Sequence, residues 1–200
     1  MNPRIAEILG HLQTLENELE GELQKSRLGR GFSVRGTRVT FDPAARAEHR
    51  TWRVGLIAFL KRSTAASVLT APVIYSMVVP LAVLDLWITV YQQIVFRAFR
   101  MTRVARSDYI VFDRHRLPYL NRLEALNCVY CGYANGVIAY AREIASRTEQ
   151  YWCPIKHALR VQSPHQRYKQ FLEYGDGEGY RSKLPEYRKL LEEPAAASGP

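Results

Sequence analysis

Cysteine is scarce in this chain, with three in 200 residues, and an odd number cannot pair off completely. A disulfide framework is therefore excluded as the basis of the fold. Nothing like a charged n-region, apolar run and small-residue cleavage site opens the sequence, so the expectation is a reducing, cytosol-facing setting. G-x-S-x-G, a Walker loop, H-E-x-x-H and G-x-G-x-x-G in its strand–helix setting are all missing, which removes the best-marked hydrolase, NTPase, metalloprotease and dinucleotide chemistries. Acid is also in deficit: 19 Asp and Glu stand against 28 Lys and Arg, for a net charge of +9. Anionic partners, lipid or nucleic acid, follow from that balance.

The largest deficit is local. From Ser63 to Phe96 the only charged residue is Asp85. A helix of roughly 34 residues would be about 50 Å long, against a bilayer core of ~30 Å. The composition of the whole chain, 47% hydrophobic and 24% charged, hides this run. A membrane segment over 63–99 is the expectation. Pro72 and Pro80 interrupt it, and both flanks are basic, with Arg53, Lys61 and Arg62 before it and Arg97, Arg100 and Arg103 after it. The positive-inside rule places both ends on one side, so a hairpin or re-entrant form turning near Pro80 is expected, with a single tilted span as the alternative. The flanking cations are the expected contacts for anionic lipid. Asp85, at membrane depth or level with Trp87 and Tyr91 at the interface, should face protein or water.

The remaining chain reads as mainly α. Residues 1–28 form an amphipathic helix, with Ile5, Ile8, Leu12, Leu15, Leu19 and Leu23 at helical spacing, suited to packing on its own domain, to a partner or to a second copy. Residues 29–62 hold a short hairpin around Arg35-Gly36-Thr37, then a basic juxtamembrane helix opened by Asp42-Pro43. After the membrane segment, 100–190 is a helical domain. It has a strand-like run at Tyr109–Phe112 and helices at Leu117–Leu126, Gly132–Gln150 and 155–162, and YGDGEGYR at 174–181 reads as a glycine-rich turn. Residues 191–200 read as a disordered tail.

All three cysteines lie in that domain. Cys128 and Cys131, then Cys153 and His157, make C-x2-C-x21-C-x3-H, a spacing that suits a closed, structural zinc site. Iron, mononuclear or as an iron–sulfur cluster, is the alternative metal, and a metal-free cysteine pair is the remaining reading. His115 and His165 are substitute fourth ligands. The long helix between the two pairs would have to bend for them to meet. Asp113-Arg114-His115-Arg116 reads either as a solvated helix start or as an acid–base or phosphate-binding element.

The stretches TAPVIYSMVVPLAVLDLW, DRHRLPYLN and LNCVYCGYANGVIAYAREIASRTEQYWCPIKHA together resemble an uncharacterised family of bacterial membrane-associated proteins, over about residues 60–170. The resemblance implies a bacterial inner-membrane setting with the soluble parts in the cytoplasm, and it transfers no mechanism. The expected function is a membrane-anchored metal protein with an adaptor or assembly role. The alternative is an interfacial metalloenzyme or iron-containing redox protein acting on a lipid or a membrane-bound substrate, with Asp113, His115, Glu143 and Asp85 as candidates. The membrane segment argues against nucleic acid as the partner.

Overall fold

The computed structural model of the chain describes residues 3–28, 30–36 and 38–192. The fold is mainly helical with one two-stranded antiparallel hairpin. The chain divides into two compact units, residues 1–62 with 113–126, and residues 63–112 with 127–200.

The first unit begins with α1 (Pro3–Leu28), whose stripe of Ile8, Leu12, Leu15, Leu19 and Leu23 is exposed. Strands β1 (Phe32–Arg35) and β2 (Arg38–Phe41) pair as the sequence suggests, with Phe32 opposite Phe41 and Arg35 opposite Arg38. Two strands are marginal alone, and here an aromatic cluster supports them. Phe41 packs edge-on against His49, and His49 stacks on Trp52 and meets Tyr119. Gly31 has φ +65, and a Cβ there would lie 2.5 Å from the Ala45 Cβ, so glycine alone lets the hairpin close on the next helix. That helix, α2 (Pro43–Thr51), starts with proline at its first position after Asp42. The basic segment is not one helix: it breaks after Thr51 and resumes as α3 (Leu56–Arg62).

The second unit contains α4 (Ala65–Ser76), α5 (Val78–Ala98), the body of α6 (Arg122–Trp152) and α7 (Gly177–Lys189). Its core joins Phe96, Met101, Val104, Tyr140, Ile144 and Leu191. Several expectations are corrected here. Tyr109–Phe112 is not a strand, the helix expected at Leu117–Leu126 starts only at Arg122 and runs unbroken into the expected Gly132–Gln150 helix as the single α6, and 155–162 is irregular. In the glycine-rich segment, the Asp176 carboxylate accepts from the Gly179 N–H at 2.8 Å and caps α7, so the segment is half turn and half helix. Leu191 is buried and its carbonyl accepts from the Thr102 N–H at 2.7 Å, so Leu191 and Glu192 belong to the fold. The rest of the expected tail lies outside the described residues.

Candidate membrane helix and its polar seam

Helix α4 starts at Thr64, whose hydroxyl accepts from the Ser67 N–H at 3.2 Å. Pro80, lacking an N–H, falls in the first turn of α5 and loosens the ladder around Met77. Met77 nevertheless keeps right-handed helical angles, φ −60 and ψ −17, so the chain bends without reversing. The hairpin or re-entrant form is corrected by this: Ala65–Ala98 is one helix of 34 residues, long and apolar enough to cross a membrane. A reversal would need residues outside the helical region or a glycine, and the sequence around Pro80 offers neither.

This helix has two unlike faces. Leu69 and Val73, and then Val79, Val83, Trp87, Val90 and Ile94, follow one another at three- to four-residue spacing within each group and are exposed, Trp87 at 73%. On the opposite face Leu81, Asp85, Gln92 and Phe96 are buried. Their partners advance along α6 in the same direction. Tyr75 donates to the Asn127 side chain and Tyr130 to the Ile74 carbonyl at 2.7 Å. Tyr133 donates to Asp85 at 3.1 Å, the Gln92 amide donates to Tyr140 at 2.5 Å, and Tyr91 meets Thr148 at 3.1 Å. The two helices therefore run parallel, and the chain after α5 must turn back along them.

Side chains of α5 hold that return. The Gln92 amide takes both backbone groups of Val104, donating to its carbonyl at 3.2 Å and accepting from its N–H at 2.9 Å. Two helical turns earlier, Asp85 accepts two hydrogen bonds from Arg106, at 2.9 and 2.6 Å. Further on, the backbone of Tyr109 and Ile110 lies against Gly136, where a Cβ would come within 2.7 Å of the Tyr109 carbonyl oxygen. Irregular backbone has to be satisfied by something, and here polar residues of the apolar helix do it. Burial, and then the hydrogen bond to the Asp85 carboxylate, raise the pKa of Tyr133, which stays a neutral donor.

The polar end of α6 is a second network. Glu143 accepts from Arg147 at 2.8 Å and from Arg167 at 2.9 Å. Burial disfavours its charge, but the two guanidinium bonds outweigh that and hold its pKa below the usual carboxylate value. His165 bonds Glu149 at 2.9 Å through Nε2 and accepts from the Tyr168 N–H through Nδ1, so both ring nitrogens are engaged.

The four expected metal ligands are not brought together. Cys128 and Cys131 lie in the first third of the unbroken α6, and Cys153 just beyond its end. At ~1.5 Å per residue the intervening helix separates the two cysteine groups by about 33 Å or more. His157 instead stacks on Tyr168. Among the described residues no three His, Cys, Asp or Glu side chains gather as a metal site. These residues do not fit one Cys3His centre. Of the substitutes, His165 is committed to Glu149, and His115 belongs to the other unit. The alternative enzyme candidates divide likewise: Asp113 and His115 are in the first unit, while Asp85 and Glu143 are in the second and each is occupied by arginine.

Of the expected lipid contacts, Arg53, Lys61, Arg62, Arg97, Arg100 and Arg103 are all exposed, and Arg103 also donates to Gln93 at 3.2 Å. Residues that sequence reasoning missed are Gln92, Gly136 and Arg106. An uncharged glutamine pair inside an apolar run and two glycines four apart, Gly132 and Gly136, were the available signals. Comparison of the chain with protein-family models, with curated proteins and with solved structures gives no match. Function is therefore argued from the chain's own geometry.

Proposed function

We propose that this chain is a monotopic anchor, held on one face of an anionic membrane by the outer stripe of α4 and α5, with an adaptor or assembly role for the units it carries. The observation that carries this reading is the exposed apolar surface from Leu69 to Ile94, on a helix that buries Leu81, Asp85, Gln92 and Phe96 on its other side. Exposed apolar surface of this extent marks a lipid or protein contact. A crossing helix would draw the partners of its inner face, including the Asp85–Arg106 pair, toward the bilayer centre, where charge is costly. Lying in the interface avoids that cost. It also accounts for basic residues both before and after the helix, since Arg62 and Arg97 then reach headgroups of the same leaflet. Trp87 suits that level. The exposed stripe of α1 is the surface left for a helical partner or a second copy.

Depth separates this reading from a span. Single nitroxide labels at positions 69, 83 and 94, in vesicles containing phosphatidylglycerol, should report similar shallow depths of about 5–10 Å. A label at the bilayer centre flanked by two at opposite interfaces would replace the in-plane reading with a crossing one. Failure of the chain to float with the vesicles would remove both.

A further inference from the structure

We propose that the first unit carries a site for a dianionic phosphate group, formed by Arg38, Arg46 and Arg116 around one cavity. The cavity, of about 800 Å³, lies between the hairpin, α2 and the turn at Arg114–Arg116. Each arginine comes from a different segment: Arg38 from β2, Arg46 from α2, and Arg116 from that turn. No Asp or Glu lines it. Of the nearest acids in sequence, Asp42 and Glu48 line a second, aromatic cavity with His49 and Trp52, and Asp113 lines neither.

Among the described residues none of these three guanidinium groups is in an ion pair. Hairpin register adds to the imbalance, because Arg35 stands directly opposite Arg38, a like-charge pairing that weakens a strand pair unless an anion offsets it. A second kind of observation falls at the same place. His115 lines the cavity and its enclosed Nδ1 has no hydrogen-bond partner. Enclosed polar nitrogens are normally satisfied; no hydrogen bond through Nδ1 holds the His115 ring in place, so the ring can turn toward an anion bound in the cavity.

The ligand class follows from the donors. Three guanidinium forks offer more N–H groups and more charge than one carboxylate can use, whereas a phosphate monoester presents three acceptor oxygens and up to two charges. Arginine forks also match the geometry of phosphate better than lysines would. All the lining residues belong to the first unit, and the site does not depend on the long helix entering a bilayer.

The test is calorimetric titration of the full chain in dodecyl maltoside with two probes, inorganic phosphate and dioctanoyl phosphatidic acid in mixed micelles. Saturable binding of both probes assigns a free phosphate group as sufficient, and binding of the lipid alone assigns a lipid headgroup. In either case R38A/R46A should weaken binding at least tenfold, and R116A, in an exposed turn, should weaken it severalfold without unfolding. The control R50A/R114A removes the same charge from outside the cavity and should bind as the parent does. Circular dichroism of each variant checks the hairpin and helices. No saturable binding of either probe, or equal losses in R38A/R46A and R50A/R114A, would overturn the site.

Discussion

Asp85 and Arg106 meet through two hydrogen bonds, 2.9 and 2.6 Å long, that tie the irregular segment after α5 back onto the apolar helix. Their exposure differs, 11% for the carboxylate side chain against 44% for the guanidinium, so the two are not equivalent when one is removed. Arg106→Ala leaves an enclosed carboxylate with only Tyr133, whereas Asp85→Asn leaves a guanidinium that water can reach. We expect R106A to cost about 2 kcal/mol and D85N about 1, both reduced from fully buried values because solvent screens the arginine. Urea unfolding in detergent measures both, and equal or reversed losses would contradict this geometry.

Gln92 should matter through the backbone it holds. Gln92→Leu would leave the Val104 N–H and carbonyl unpaired in the core, a loss of about 2 kcal/mol. Amide exchange at Val104 should accelerate by at least tenfold. Unchanged protection there would show that the clamp is not what holds the segment.

At Gly136 two effects oppose. Alanine favours a helix by up to about 1 kcal/mol, but its Cβ would meet the Tyr109 carbonyl oxygen at 2.7 Å, and that atom is backbone. Overpacking of this kind costs about 1–3 kcal/mol, so G136A should be net destabilising. A raised melting temperature would mean that the return segment does not lie this close.

Glu143 predicts a pH dependence. Its folded pKa lies below the usual carboxylate value, so its contribution to stability is complete above that usual value. The contribution is then lost as pH falls through the lower folded value. Glu143→Gln should flatten the acid limb of a stability–pH curve in that window and lower stability at neutral pH, because Arg147 and Arg167 lose their partner. A variant with the parent's acid limb would assign the limb to other groups.

Spin labels on Cys131 and Cys153, with Cys128→Ser, test the continuity of α6. Backbone separation of about 33 Å is expected from 22 residues of helix rise. A distance near 10 Å would require α6 to break and bring the two cysteine groups together.

Composition and spacing alone determined much of the local structure. The uncharged run from Ser63 marked an apolar, membrane-suited segment, the Phe32 to Phe41 alternation marked a hairpin, and Asp42-Pro43 opened α2, because these are effects of neighbours a few residues apart. Tertiary structure decided the rest. Pro80 and the basic flanks favoured a hairpin or re-entrant turn over a single span, whereas the backbone stays helical through Met77 and packs along α6. Cysteine spacing suggested a knuckle, yet helix propensity through Cys128-Val129-Tyr130-Cys131 prevailed and carried Cys153 away from the first pair. Parallel helices need a return segment, and which polar groups would hold it depended on contacts 12 to 48 residues apart, such as Gln92 with Val104 and Tyr140. Pairings at that distance leave no local periodicity to read.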